Sequence, residues 1–318
     1  MENTKKITWL LFHEPIELFL RTAESFSKEI KRLTNNRIQI DVYTKEQYAK
    51  EFKSGSIRDP ISLINSGNVQ MTQLQVGYLA KWSAVDFHAL DMPFIFRDYA
   101  HCDRVLEGDI GEGLLNDLKT HTPVHGLAFT FSGGYRLIAA EKPINVAEDL
   151  VGLTMVTAAN PVFVDTIEAF GCKVVAINNR DDIDGKLRGD FGNAIQTTLP
   201  RYRNEANPAV HKYVTNTKHS MFLTTIVISN EFWNSLTDED RVAMKKAALH
   251  SAKLERQWTL EDANKIATSK EEQIQLGIES YQEFPESEVI KLREAAKPTH
   301  EKYKSIFSDG LLDRISIA

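Results

Sequence analysis

The chain has 318 residues, of which 42% are hydrophobic and 26% are charged, and its formal net charge is −6. This composition is typical of a soluble globular protein, and the length predicts about two domains. A pI near 5.9 and the lack of a long Lys/Arg cluster exclude nucleic acid as an expected partner. The apolar runs are as short as strands, so no transmembrane segment is predicted.

The N-terminus and the cysteines bear on the cellular compartment. Residues 1–12 contain a basic patch but too few apolar residues for a secretory signal. Either the protein is cytoplasmic, or this is a mature form whose signal was replaced by an initiating methionine. Cys102 and Cys172 are predicted to be free and buried.

Strands and helices are predicted to alternate in the first part of the chain. An apolar run at 7–12 precedes an amphipathic helix at 17–33 and a strand at 37–43. A short helix at 60–65 and a strand at 69–76 follow. Strand, helix, strand order predicts parallel pairing and therefore an α/β lobe.

The middle of the chain predicts a second α/β lobe. Residues 89–98, which precede this lobe and are assigned to the first, are expected to form an apolar loop whose aromatic side chains pack in a core. A strand at 124–130 leads into a glycine turn at 131–136, and a helix at 161–170 precedes a strand at 172–177.

The last part of the chain predicts a return to the first lobe. A strand at 221–229 belongs to that lobe, and a helix from 237 to about 277 is long enough to span both lobes. One more helix, at 287–303, lies against the second lobe.

Arg136 is the first candidate for ligand binding. Gly133 and Gly134 allow a tight turn and close approach to a ligand, while the planar fork of Arg136 suits a carboxylate, sulfonate or phosphate. A polar cluster at 193–197 follows later. The alternative is that Arg136 is a surface charge after a turn.

Four polar side chains lie where strands of the first lobe end. Ligand groups lie at the carboxyl ends of strands in such sheets, which makes His13, Glu14, Gln73 and Gln75 candidates. His13 is equally compatible with a structural role.

The sequence contains few signals of catalysis. It has no Gly-x-Ser-x-Gly elbow and no Walker loop, His211 and His219 lack zinc spacing, and the glycines at 108–113 are better interpreted as a helix start. The acidic residues at 181–184 could form an acid/base or cation site, or a solvated loop. We expect no cofactor, no metal and no enzymatic activity.

The order of motifs resembles the solute-binding receptors of tripartite ATP-independent periplasmic (TRAP) transporters, in their dicarboxylate-receptor branch. The resemblance extends from Ile7 to about Ile315. Its motifs are 34–43, 90–98, 134–136 with 142–144, 148–153, 169–171, 212–219 and 233–240.

The resemblance implies a two-lobed α/β fold like that of periplasmic binding proteins, with a long spine helix crossing both lobes. Lobe I is expected at 1–133 plus 222–261 and lobe II at 134–221 plus 262–318, with the ligand cleft between them. The lobes are expected to close on a small organic acid, which passes to the membrane subunits of a TRAP transporter. We expect a periplasmic monomer that is not an enzyme.

Individual site residues follow from the same resemblance. Arg136 matches the arginine after the family's glycine turn, Gln75 matches a polar contact at a strand end, and Gln196 with Thr197 falls on the carboxamide cluster. Asn160, at the start of the next helix, is a further candidate.

Val156 departs from the family pattern, because it occupies the position of the dominant carboxylate-binding arginine. Breaking such a desolvated pair costs about 2–5 kcal/mol. Either the ligand has no carboxylate there, or another cation has moved in. Arg180 is the candidate for this cation, although the sequence is equally compatible with Arg180 as an exposed arginine in an acidic run.

The predicted function is therefore an extracytoplasmic receptor for a small organic acid, either a carboxylate or a sulfonate. The alternatives are a sensory protein or an enzyme on the same scaffold, or a receptor for a neutral or cationic solute.

Overall fold

A computed structural model of the chain describes residues 4–13, 15–53, 57, 59–82, 84–177 and 192–318. The chain divides into two compact units. The first contains Met1–Phe87, Cys102–Ser132 and Leu223–Thr259, and the second contains His88–His101, Gly133–Phe222 and Leu260–Ala318. Residues 88–101, which were predicted in the first lobe, therefore belong to the second unit.

The strands of the described residues are, in chain order, β1 Lys5–Leu11, β2 Ile38–Thr44, β3 Met71–Gln75, β4 Val124–Tyr135, β5 Leu137–Ala140, β6 Thr154–Ala158, β7 Lys173–Ile177, β8 Ala194–Thr197, β9 Tyr213–Asn216, β10 Met221–Ser229 and β11 Ser280–Glu283.

The α-helices are Ile16–Leu33, Lys45–Glu51, Pro60–Asn65, Val76–Ala80, Tyr99–Glu107, Asp109–His121, Pro161–Ala169, Tyr202–Glu205, Asn230–Asn234, Asp238–Thr268, Lys270–Leu276, Glu286–Ala295, Lys297–Lys304 and Leu311–Ile317. Short 3-10 helices cover Val85–Asp91, Ala147–Leu150 and Leu199–Arg201. In the part of the chain that the structure describes, no helix combines the length and apolar character needed to cross a membrane.

The first unit contains a five-stranded sheet in the order β2-β1-β3-β10-β4. β1 is parallel to β2 and β3, as the strand, helix, strand order predicted, and β10 is antiparallel to β3. The helix Ile16–Leu33 follows β1 and buries one apolar stripe, which includes Phe19, Ala23 and Phe26. Burial of that stripe stabilises the helix.

The second unit contains a six-stranded sheet in the order β11-β9-β5-β8-β6-β7. Alternate residues of its strands enter two separate apolar clusters, as the twofold period of a strand requires. Ile138 and Met155 belong to one cluster, and Leu137 and Val156 belong to the other. Two sheets with accompanying helices confirm the predicted α/β fold class.

Two cysteines are buried and free, as predicted. The Cys172 thiol donates to the carbonyl oxygen of Leu150 at 3.2 Å. Burial raises the pKa of Cys102, and it raises the pKa of Cys172 to about 12. Both thiols are therefore protonated at neutral pH.

The predicted glycine turn is wrong, because β4 continues through it to Tyr135. Gly133 and Gly134 have φ angles of 148° and 72°, which change the direction of the backbone within the strand. A Cβ atom at Gly133 would lie 2.4 Å from the Thr198 hydroxyl oxygen. Glycine is therefore needed there both for its backbone conformation and for close approach.

Two predicted helices are interrupted. The long helix ends at Thr268, and Ser269 caps a new helix by accepting a hydrogen bond from the Glu272 N–H group. The predicted tail helix is divided at Ala296, two residues before Pro298, which occupies the first turn of the next helix. Serine competes for backbone hydrogen bonds, and proline fits only the start of a helix.

Glu255, on the long helix, is fully buried in the first unit. Its carboxylate accepts hydrogen bonds from Thr22 at 2.8 Å, from the Gln73 Nε2 atom at 2.9 Å, and from Ser132. Burial raises the pKa of Glu255 to about 7, although these donors and the positive charge of Arg256 oppose the increase. Desolvation therefore outweighs the hydrogen bonds.

We expect Glu255 to make stability depend on pH. Its pKa is about 7 when folded and about 4.3 when unfolded, so folding favours the protonated form. The contribution of protonated Glu255 to folding stability is fully present below the pKa of the unfolded state and is lost as pH rises through 7. Glu255→Gln cannot ionise at this position. As pH rises from 4.5 to 8, its free energy of unfolding should therefore increase by on the order of 3 kcal/mol relative to that of the unchanged chain.

Chemical unfolding across this pH range measures the difference. Glu261→Gln, at an exposed position on the same helix, is the control. A constant difference in unfolding free energy between Glu255→Gln and the unchanged chain would contradict the prediction.

Candidate ligand-binding site

Arg136 connects β4 to β5 and is 4% exposed. Its backbone N–H donates to the Ser220 carbonyl at 2.8 Å. The guanidinium carbon lies 4.3 Å from the ring centre of Phe163 and 5.2 Å from that of Phe222. These cation–π contacts compensate part of its desolvation, each by up to about 2 kcal/mol.

The charge of Arg136 is not matched by an ion-pair partner within the described ranges. Among the residues that the structure describes, its guanidinium forms no ion pair, and its buried Nε atom has no hydrogen-bond partner. Burial, together with the positive charge of Arg201, lowers the pKa of Arg136 to about 10, although the negative charges of Asp91 and Glu205 oppose the decrease. The guanidinium therefore remains protonated at neutral pH.

Arg201 is a second guanidinium at the same aromatic ring, with its central carbon 3.9 Å from the centre of Phe222. Unlike Arg136, it forms an ion pair, with Glu205 one helical turn later. Glu205 also accepts a hydrogen bond from Thr197. The predicted ligand residue Thr197 thus has a protein partner.

Gln196 lies in β8, opposite Ile138 in the register with β5. Its Nε2 atom donates to Thr157, and its Oε1 atom lies 2.8 Å from the His219 Nε2 atom. An amide oxygen only accepts, so the His219 Nε2 atom carries the proton and the Nδ1 atom accepts from Thr217 at 2.7 Å.

His219 is 1% exposed. Burial, together with the positive charge of Arg136, lowers its pKa to about 3. The imidazole is therefore neutral at physiological pH, and Gln196 and His219 form a neutral hydrogen-bonded pair next to the charged arginine.

Asn160 caps the helix Pro161–Ala169 by accepting from the Val162 N–H group at 2.9 Å. Its Nδ2 atom donates to the buried carboxylate of Asp91 at 2.7 Å. The predicted ligand residue Asn160 therefore holds an acid near Arg136, in addition to any contact that it makes with a ligand.

Val156 is 3% exposed and belongs to the apolar cluster on one face of the sheet. It pairs with Ile195 of β8, next to Gln196. The position that the family resemblance assigns to an arginine is thus an apolar core position in this chain.

The predicted residues of the first unit have different surroundings. Gln73 is buried and donates to Glu255, while the Gln75 Oε1 atom accepts from the Tyr78 N–H group at 3.0 Å and caps a helix. His13 is half-buried, with its ring centre 6.1 Å from that of Tyr78. Their roles in binding stay a prediction.

Glu14, Arg180 and the acidic residues at 181–184 lie outside the described residues. The proposed movement of charge from position 156 to Arg180 therefore stays a prediction. Across the described ranges, no group of three or more His, Cys, Asp or Glu side chains is arranged to hold a metal ion.

The second unit also contains a cavity of about 600 Å³, with Tyr99, Tyr135 and Tyr281 in its walls. Lys218 and Glu283 form an ion pair of 2.9 Å at this cavity, and Tyr281 donates to Glu283 at 2.6 Å. The charges of Lys218 and Glu283 thus compensate each other at this cavity, whereas Arg136 forms no ion pair with a described residue.

The structure adds residues that the sequence interpretation missed, namely Asp91, Phe163, Arg201, Glu205, His219 and Phe222. The four-residue spacing of Arg201 and Glu205 is typical of a helical ion pair and could have identified that pair. The other contacts join distant segments and have no local sequence signal.

A family model described as "Bacterial extracellular solute-binding protein, family 7" matches residues 13–306. The chain belongs to this family, which confirms the TRAP receptor resemblance. It is 22% identical over 280 residues to the C4-dicarboxylate-binding periplasmic protein of Rhodobacter capsulatus, covering 88% of this chain and 80% of that protein.

Solved structures show the same fold. A TRAP periplasmic solute-binding protein from Pseudomonas putida F1 with bound D-glucuronate is 26% identical, with a TM-score of 0.81 and coverage of 99% and 97% of the two chains. Another, from Shewanella oneidensis with bound succinate, is 17% identical, with a TM-score of 0.83 and coverage of 99% of each chain.

We expect Gly133→Ala to destabilise the chain by about 1–3 kcal/mol, because alanine is strained at this φ angle and its Cβ atom would overlap Thr198. Gly113→Ala is the matched control, because its Cβ atom would meet nothing within 4 Å in a helix. Gly113→Ala should be more stable than the unchanged chain by about 0.5–1 kcal/mol. Chemical unfolding measures both, and equal stability of the two variants would contradict the argument.

Proposed function

We propose that this chain is a periplasmic receptor that binds a small organic acid at Arg136 and delivers it to the membrane subunits of a TRAP transporter. The observation that carries the proposal is the buried guanidinium without an ion-pair partner among the described residues. A buried charge costs free energy unless an opposite charge compensates it, and a bound carboxylate supplies that charge.

The chemistry of the relatives agrees with an acid as ligand. The relative from Rhodobacter capsulatus is named for dicarboxylates, and the two structural neighbours carry D-glucuronate and succinate. A cationic solute would be repelled by Arg136, and a neutral solute would leave its charge uncompensated.

Binding, rather than catalysis, is the role that we infer. Both ring nitrogens of His219 are within hydrogen-bonding distance of protein partners, and its low pKa makes it a poor base at neutral pH. Arg136 keeps its proton at neutral pH, so it suits electrostatic recognition better than proton transfer.

Arg136→Lys tests the proposal, because lysine keeps the charge but loses the planar fork that binds a carboxylate through two hydrogen bonds. We expect affinity for acids to fall by roughly tenfold or more, equivalent to about 1.4 kcal/mol. Titration calorimetry with D-glucuronate, D-erythronate, L-tartrate and succinate measures the effect.

Arg203→Lys, at an exposed position of the same unit, is the control and should bind as the unchanged chain does. Failure of all four acids to bind the unchanged chain, or unaltered affinity in Arg136→Lys, would argue against an acid receptor that uses Arg136.

A further inference from the structure

The charges around Arg136 restrict the kind of acid that can bind. Two guanidiniums, Arg136 and Arg201, and two carboxylates, Asp91 and Glu205, act on this part of the second unit. Glu205 is already the ion-pair partner of Arg201. Of these two described guanidiniums, Arg136 therefore remains for an incoming carboxylate.

A second ligand carboxylate would have an unfavourable environment. It would have to compete with Glu205 for Arg201, or be buried near Asp91 and Glu205 without a free guanidinium from the part of the chain that the structure describes. Asp91 is fully buried and held by Asn160, so it cannot move into water without breaking that hydrogen bond. Like charges in a desolvated site repel strongly.

Two neutral side chains of the second unit are suited to hydrogen bonds with the hydroxyl groups of a ligand. The Ser220 and Thr198 hydroxyls are buried and form no hydrogen bond with any described residue. The Ser220 carbonyl holds the backbone of Arg136, and the Thr198 hydroxyl lies against Gly133. Buried hydroxyls without partners are costly, and ligand hydroxyls can both donate to them and accept from them.

We infer that the ligand is a hydroxylated acid with a single carboxylate, and that Glu205 is the residue that excludes dicarboxylates. This inference rests on the proposed function. The carboxylate binds Arg136, and Glu205 keeps Arg201 neutralised, so that Arg201 does not offer a second cation. The site therefore disfavours dicarboxylates, because their second carboxylate has an unfavourable interaction with Glu205.

Four-carbon acids provide a matched test. D-Erythronate has one carboxylate and three hydroxyls, L-tartrate has two carboxylates and two hydroxyls, and succinate has two carboxylates and no hydroxyl. Titration calorimetry at pH 7 should show D-erythronate binding at least roughly tenfold more tightly than either dicarboxylate, a difference of the size that one unpaired buried charge produces.

Glu205→Gln tests the role of the carboxylate itself. Glutamine keeps a similar shape and can still accept from Thr197, but it leaves Arg201 without its ion-pair partner. The variant should raise the affinity for L-tartrate and succinate relative to D-erythronate by roughly tenfold or more. Glu168→Gln, an exposed change of the same charge in the same unit, should leave this ratio unaltered.

The outcomes separate the two proposals. Tighter binding of a dicarboxylate by the unchanged chain, with loss in Arg136→Lys, would overturn the single-carboxylate inference but leave the receptor function standing. An unaltered ratio in a folded Glu205→Gln, verified by its melting temperature, would overturn the role of Glu205. Failure of all these acids to bind would count against both proposals.

Discussion

The second unit depends on one constraint, which is that the Arg136 guanidinium is buried against aromatic rings and forms no ion pair with any residue that the structure describes. Burial lowers its pKa only to about 10, so loss of the proton does not relieve the cost at neutral pH. The cation–π contacts offset part of that cost. The fold therefore holds this cation in place, and such preorganisation would increase the affinity of the proposed receptor for an anion because the side chain needs little further ordering.

The surroundings of Arg136 are arranged so that nearby groups do not neutralise it fully. Glu205 is engaged by Arg201 and Thr197, and Asp91 is engaged by Asn160. His219 stays neutral, donating its one ring proton to Gln196 and accepting a hydrogen bond from Thr217, so it adds no second positive charge. Several residues that resemble ligand contacts in the sequence thus position the charged groups, which explains why their polar atoms already have protein partners.

Much of the fold could be predicted from the sequence, because its signals are local. Apolar periodicity predicted the helix Ile16–Leu33, and the proline and glycine around Pro161–Ala169 marked its ends. Arg136 was also identified, but its burial was not, because Phe163 and Phe222 come from distant segments. The glycine turn was wrong because a positive φ angle can bend a strand as well as end it. Ser269 and Ala296 divide helices that periodicity alone would continue.

A crystal structure of the chain with its tightest-binding acid tests the role of Arg136 most directly. The ligand carboxylate should accept charge-assisted hydrogen bonds of about 2.7–2.9 Å from the Arg136 guanidinium, with the Arg201–Glu205 pair intact. A bound acid whose carboxylate contacts other residues, with Arg136 still lacking an anionic partner, would contradict this role.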